Sequence, residues 1–464
     1  MRNLLVLVLW GFATALQASV PSQSIDEFVD AEMPKSGTPG LAYAVVENGA
    51  IVAGARGEIL IGSGQQVTPD TPFQIGSITK SFTAMAVMQL VEGGKIDLDG
   101  EISQYLDAFV SSPGSAITIR QLLSHTSGYS TLQGNTETDS DALLPHVEQV
   151  AQWVPAHQPG TVFDYSNANY QVLGALIETV SGDSYARYIE ANVFKPIGLA
   201  HSFFGDGASH DNVAIGHVPW FTTKRPVKDA KRQRYNEPAG GIFASANDLA
   251  LYLALMMNGT DDVLSAKSKS EMMRPASDAS PYYGLGWSID PANGSAYHTG
   301  TIPGVDSFAS MVPAQHKAVL VFANGGGGMG FGENVDLFNG IAAIALGQDY
   351  ASDQGHWGRK GMFLSLALAP LFFVIGMITV VFNASGLRAK SGAFGAFSLW
   401  FPLLMTIALA YTAIQLIPKL FGVTLQTLYV YQPDLALILV ATGITGVLWA
   451  VVRLWVYYGG SRRR

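Results

Sequence analysis

Apolar residues follow two rhythms along the chain. Before residue 350 they come in short runs broken by Gly, Pro, Asn and Asp, and beyond it they fuse into three long blocks. In the first part, apolar runs at 41–46 and 51–53 flank Asn48-Gly49, which predicts a β-hairpin. Helices are expected over 77–91 (stopped by Gly93-Gly94), 120–124, 169–180 and 247–257. The last has Ser245 as N-cap with Asp248 three residues on, close to a capping box. Strands return at 282–289, 307–312 and 317–322, before a helix over 335–346. Strands at both ends with helices between predict an α+β domain, one antiparallel sheet flanked by terminal helices with a helical insertion.

The three blocks cover residues 362–382, 397–417 and 435–457. Each is long enough to cross a hydrocarbon core of about 30 Å as a helix. Arg388 and Lys390 lie between the first and second, and Arg462, Arg463 and Arg464 follow the third. Alternating spans put both basic clusters on one side, the cytoplasmic one, and the large domain on the other. The N-terminus agrees: Met1-Arg2-Asn3, an apolar run over 4–13 and then small residues read as a signal peptide. The expected organisation is a signal peptide at 1–18, an exported domain at 20–350 and a linker at 351–361. A three-helix transmembrane region at 362–458 and a basic cytoplasmic tail at 459–464 complete it. The spans hold no acid, and Arg453 is near enough to the inner end to snorkel, so the tail reads as an anchor or interaction module rather than a transport path.

Charge sharpens the division. The whole chain carries −9, with −17 on residues 1–355 and +8 on residues 356–464. An acidic domain repels a polyanion, which argues against nucleic-acid binding. Cysteine is absent, which removes disulfides, thiol catalysis and Fe–S clusters. The nine histidines show no metal-ligand spacing, so neither metal nor cofactor is expected. Gly325-Gly326-Gly327-Gly328 lacks a following Gly-Lys-Ser/Thr, and Gly-x-Ser-x-Gly does not occur.

Three short stretches carry candidate chemistry. Ser77-Ile78-Thr79-Lys80 opens a predicted amphipathic helix, and residues three apart share a helical face. A hydroxyl becomes a nucleophile when a base takes its proton, and a lysine with a depressed pKa one turn away can do that. Asp164-Tyr165-Ser166-Asn167 supplies a phenol and an amide just before a helix. Tyr297-His298-Thr299-Gly300 falls on a strand edge, where Gly permits close backbone approach. Taken singly, each reads as ordinary structure: an N-cap serine, a polar turn, a structural histidine.

In this order and spacing they resemble the penicillin-recognising serine hydrolases, with Ser-x-x-Lys, then Tyr-x-Asn, then a Lys/His-Thr/Ser-Gly strand. Phe73-Gln74-Ile75-Gly76, the stretch from Ile117 to Gly128, Pro159-Gly160 and Pro238-Ala239-Gly240-Gly241 are further points of likeness to the class C β-lactamase-like branch. That branch includes esterases, D-aminopeptidases and penicillin-binding-protein-like peptidases. The resemblance implies a β-lactamase/transpeptidase-like fold and acyl transfer through an acyl-enzyme on Ser77. By the same likeness Lys80 and Tyr165 share acid–base work, and Asn167 orients Lys80 and the substrate. His298 takes the strand position that is Lys in β-lactamases, and the amides of Ser77 and Thr301, just past Gly300, form the oxyanion hole. A neutral His in place of a permanent cation favours an ester or D-amino-acid peptide substrate over a β-lactam. The alternative is a β-lactam- or peptidoglycan-binding sensor with little turnover that signals through the spans. The architecture looks bacterial, which places the chain in the inner membrane with the domain in the periplasm.

Overall fold

The hairpin closes where the pattern puts it. β1 (Gly40–Glu47) pairs antiparallel with β2 (Ala50–Gly57), and the turn residues Asn48 and Gly49 both take positive φ, 50° and 82°. The computed structural model describes residues 24–136, 140–205, 210–227, 233–329, 332–350 and 357–459. The expected signal peptide, the first part of the linker and the terminal arginines lie outside the described residues.

Four later strands join the hairpin: β3 (Ser288–Asp290), β4 (Ser295–Ile302), β5 (Val305–Val312) and β6 (Lys317–Ala323). The six-stranded antiparallel sheet runs β2-β1-β6-β5-β4-β3, so the beginning and end of the domain meet at β1–β6. Five helices do most of the packing before residue 350: α1 (Ile25–Ser36), α2 (Thr79–Glu92), α3 (Asn167–Ser181), α4 (Ala246–Met257) and α5 (Val335–Leu346). α1 and α5 cover one sheet face, where Phe28 and Val29 meet Val319, Val321, Leu337 and Ile341. α1 was not marked by apolar spacing; Ser24 and Glu27 start it with a reciprocal capping box. On the other face, α4 and the helical insertion around α2 and α3 build the larger core.

Two expectations need correction. The strand expected over 282–289 is only Ser288–Asp290, because the chain doubles back through a Tyr283–Ser288 bridge across Gly284 and Gly286. That turn runs against α2, and on the side away from β5 it leaves β4 a strand neighbour only along residues 295–297. The second correction concerns the helix at 77–91. A 3₁₀ turn (Gly76–Ile78) precedes α2, and α2 is buried on every side rather than amphipathic. Its polar side chains are tolerated because they are paired: Ser81 Oγ donates to the Ile78 carbonyl (2.8 Å) and Thr83 Oγ1 to that of Pro238 (2.7 Å).

Beyond residue 356 three helices are long and apolar enough to cross a membrane: Trp357–Phe382, Gly392–Leu420 and Pro433–Gly459. The second is interrupted by a π-helical turn at Thr412–Leu416, just before Pro418. Arg388 donates to the Val456 carbonyl (3.0 Å) and the Tyr457 hydroxyl to that of Lys390 (3.2 Å). The basic turn between the first two spans therefore sits at the C-terminal end of the third. The connection at residues 421–432, which holds the short helix Leu425–Tyr431, lies at the opposite end, against the α+β domain. There the adjoining Asp434 accepts from the Phe221 amide (2.8 Å).

Candidate active site

Close backbone contact sets Ser77. Gly76 takes φ 53° beside Gly300 and Thr301, and a Cβ on it would come within 2.9 Å of the Thr301 nitrogen. Ser307 Oγ ties the two strips together, giving its one proton to the Ile75 carbonyl (2.8 Å) with the Gly300 carbonyl oxygen 3.3 Å away. The Ser77 turn is thereby held against the edge of β4, with Thr299 and Thr301 on the open side and His298 and Gly300 facing in. This juxtaposition puts the Thr301 amide next to the Ser77 turn.

One turn on, Lys80 is wholly buried. Its Nζ lies 3.0 Å from Ser77 Oγ, 2.8 Å from Asn167 Oδ1 and 2.8 Å from the Ala239 carbonyl oxygen. No carboxylate offsets the desolvation, which drives its pKa well below the ordinary lysine value. The consequence follows from counting hydrogens. A neutral amine has two N–H donors, and the carbonyl of Ala239 and Oδ1 of Asn167 are both acceptors. The remaining valence, the lone pair, faces the only partner with a proton to give, the Ser77 hydroxyl.

Tyr165 approaches from the other wall. Burial pushes its pKa above the ordinary phenol value, a rise that the Ser77 hydroxyl offsets in part, and Lys80 Nζ is 5.0 Å from its ring centre. Asn167 is the first residue of α3, so the turn that starts this helix presents both Tyr165 and Asn167 to Lys80. His125, at φ 57°, lies beneath Tyr165 with ring centres 4.2 Å apart, and its Nδ1 accepts from the Ser166 amide (3.1 Å). It supports the Tyr-Ser-Asn turn and stays neutral, because burial holds its pKa well below 6.5.

His298 is brought to the same cluster, its ring 6.1 Å from that of Tyr165. Burial, with a smaller contribution from Lys80, pushes its pKa down to about 3. The neutral ring donates from Nδ1 to the Thr299 carbonyl (2.7 Å), which leaves Nε2 to accept from the Tyr283 hydroxyl (3.0 Å). It offers no cation to a substrate. Thus Ser77, Lys80, Tyr165, Asn167, His298, Gly300 and Thr301 converge from three distant stretches of chain.

Four participants escaped sequence reading. The Ala239 carbonyl consumes one Lys80 donor, and Tyr283 fixes His298. Asn135 accepts from Asn167 Nδ2 (3.0 Å) through its Oδ1. Asp306 opposes Thr301 across β4–β5 and accepts from the Gly327 amide and Asn334. None sits in a local pattern; only the Pro238-Ala239-Gly240-Gly241 stretch gave a signal. Among the described residues no cluster of His, Asp and Glu is arranged to hold a metal.

The Beta-lactamase family profile matches residues 25–343. The Bacillus subtilis (strain 168) protein PbpX is 34% identical over 262 residues, covering 56% of this chain and 63% of the relative. This chain spans just under two thirds of the length of the curated relatives it matches. The octameric penicillin-binding protein homologue from Pyrococcus abyssi superposes with a TM-score of 0.61 at 25% identity, covering 70% of this chain and 77% of that one. A class C beta-lactamase shares the fold (TM-score 0.59, 21% identity, 71% of this chain and 96% of that one).

Proposed function

The chain belongs to the beta-lactamase family of serine hydrolases, and from that footing we propose an exported, membrane-anchored hydrolase that works through an acyl-enzyme on Ser77. The observation that carries the reading is the wholly buried Lys80 amine, held 2.8 Å from both Asn167 Oδ1 and the Ala239 carbonyl oxygen and 3.0 Å from Ser77 Oγ.

In the reaction, Lys80 takes the Ser77 proton as Oγ bonds to the substrate carbonyl carbon. The oxygen gains negative charge and is met by the amides of Ser77 and Thr301; each such donor contributes roughly 10²–10³ in rate. As the tetrahedral adduct collapses, the bond to the leaving group breaks and that group receives a proton from Lys80 through the Tyr165 hydroxyl. Water then enters and bonds to the acyl carbon as Lys80 takes its proton along the same path. The carbon–Oγ bond breaks, Lys80 returns that proton to Oγ, and the acid leaves with Ser77 and neutral Lys80 regenerated. Asn167 keeps Lys80 in place and faces the substrate.

The substrate class follows from His298. A neutral imidazole bound to Tyr283 gives no fixed positive charge for a carboxylate, so an ester or a D-amino-acid amide suits the site better than a β-lactam. The test is turnover of purified protein on nitrophenyl esters, D-alanyl anilides, D-Ala-D-Ala peptides and a chromogenic cephalosporin, each beside Ser77→Ala. Ester or anilide turnover that disappears in Ser77→Ala supports the proposal. Turnover retained in Ser77→Ala refutes it, and an adduct that forms on Ser77 but never hydrolyses favours the sensor alternative.

A further inference from the structure

The loop that joins the second and third spans reaches the catalytic lysine through a continuous chain of hydrogen bonds. The Gly422 carbonyl accepts from Asn135 Nδ2 (2.9 Å), Asn135 Oδ1 accepts from Asn167 Nδ2 (3.0 Å), and Asn167 Oδ1 accepts from Lys80 Nζ (2.8 Å). The direction of this chain is set at its far end. An amide side chain can rotate by half a turn and exchange oxygen for nitrogen, and nothing about its shape prevents it. A backbone carbonyl can only accept. Gly422 therefore obliges Asn135 to present its NH₂ outward and its oxygen inward, which in turn obliges Asn167 to present its oxygen to Lys80.

The alternative orientation is damaging. With Asn135 reversed, Asn167 would reverse too and point a donor at Lys80. The amine lone pair would then be taken by Asn167 instead of facing the Ser77 hydroxyl.

The loop is built to hold that carbonyl still. Gly422 has φ 68° and rests on Thr131, where a Cβ would come within 2.9 Å of the Thr131 methyl. Thr131 Oγ1 in turn donates to the Tyr165 carbonyl (2.7 Å). From the other end of the same loop, Gln432 Nε2 donates to the Gly327 carbonyl (2.6 Å), and its Oε1 accepts from the Met329 amide (3.3 Å). The Gly327 amide donates to Asp306 (2.7 Å), the strand partner of Thr301. One segment of the tail thus bonds to Asn135, one hydrogen bond away from Asn167, and to Gly327, one hydrogen bond away from Asp306 opposite Thr301.

We infer that the Gly422 carbonyl is a positioning group for the Ser77–Lys80 pair, fixing the direction of the Asn135–Asn167 amide chain, so that the tail completes the active site as well as anchoring it. The inference rests on the proposed acyl-enzyme chemistry. Asn135 and Gly422 act through Asn167 and Lys80.

The experiment uses the full-length protein in detergent, with the rate of Ser77 modification by a fluorophosphonate followed by intact mass. Asn135→Asp puts an acceptor-only group at 135 and needs no carbonyl to orient it; Asn135→Leu fills the place without any polarity. On the pH plateau Asn135→Leu should lose about tenfold or more. Asn135→Asp, which still offers Asn167 an acceptor but sets its other oxygen against the Gly422 carbonyl, should lose clearly less than Asn135→Leu. Gly422→Val should lose as much as Asn135→Leu, and Asn135→Asp should restore most of the rate in the Gly422→Val background, which a purely structural loss would not allow. Arg359→Ala, which removes a tail-to-domain ion pair with Glu333 (3.1 Å) away from this chain, should leave the rate unchanged. Equal loss in Asn135→Asp and Asn135→Leu overturns the inference even if Gly422→Val fails to fold, as does a wild-type rate in Gly422→Val. If the wild type forms no adduct on Ser77, the acyl-enzyme reading falls and this inference with it.

Discussion

Two helices show how differently this chain treats its side chains. α2 carries two threonines, two serine or lysine neighbours and few charges, yet eleven of its fourteen residues are buried. The first span, Trp357–Phe382, is richer in apolar residues, yet Phe372 and Phe382 are 66% and 84% exposed. Hydrophobicity alone ranks the two the wrong way round. In the domain, the competing solvent is water, and a polar group enters the core where a partner waits, as the Ala239 carbonyl waits for Lys80. Along the three long apolar helices, the proposed neighbour is hydrocarbon, which rewards an apolar surface and needs no partner beyond the helix's own backbone bonds. A lysine in α2 is thus tolerable and useful, whereas a charge on the outer face of a span is neither.

The sharpest way to break that contrast is to remove the buried amine. Lys80→Met should reduce Ser77 modification and turnover by about 10³-fold or more, because no other base faces Ser77. The same change should raise the melting temperature by several degrees, since an apolar chain of similar length replaces a desolvated amine. The sign of its pH dependence is fixed. The folded-state pKa of Lys80 is depressed, so between that value and about 10.5 the unfolded chain binds a proton that the native one does not. Wild-type stability therefore rises with pH across this window, and the advantage of Lys80→Met in thermal unfolding should shrink from pH 7 towards pH 10.

A charge placed on the span tests the other half. Phe372→Asp, near the middle of the first span, should cost about 3 kcal/mol of insertion free energy and shift protein from the membrane to the soluble or degraded fraction. Carbonate extraction of membranes reads the change, and full retention would contradict the reading of this helix as lipid-facing.

The smallest effect is expected at His298, which the sequence already reads as a neutral replacement for a cation. Burial pushes its pKa down to about 3, so the ring stays neutral through the physiological range. His298→Gln, which keeps one donor and one acceptor, should leave the shape of the pH–rate profile between pH 5 and 8 unchanged. An inflection near pH 6 that vanishes in the variant would show that His298 carries a proton during turnover.

What the sequence disclosed, and what it hid, divides along a physical line. The Asn48-Gly49 hairpin, the helix at 335–346 and the three spans are local, since each is encoded by the residues that form it. Ser77, Lys80, Tyr165 and Asn167 were legible because short motifs carry them. The burial of α2 on every side was not, since it depends on segments far away in the chain. The strand expected at 282–289 failed because Gly284 and Gly286 allow a turn that the apolar count around Tyr283 and Trp287 masks. Asn135, Asp306 and the loop at Gly422 are hidden for the same reason: each acts through one side chain or carbonyl with no neighbours in sequence to announce it.

The central claim is that neutral Lys80 takes the proton of Ser77, and the pH dependence of the acylation rate tests it most directly. Fluorophosphonate adduct formation, measured by intact mass and mapped to the peptide holding Ser77, should rise tenfold per pH unit along a single-proton limb and then level off below pH 10. That limb should be absent from the residual rate of Lys80→Met. An adduct on another residue, or a limb that survives in Lys80→Met, would contradict the account.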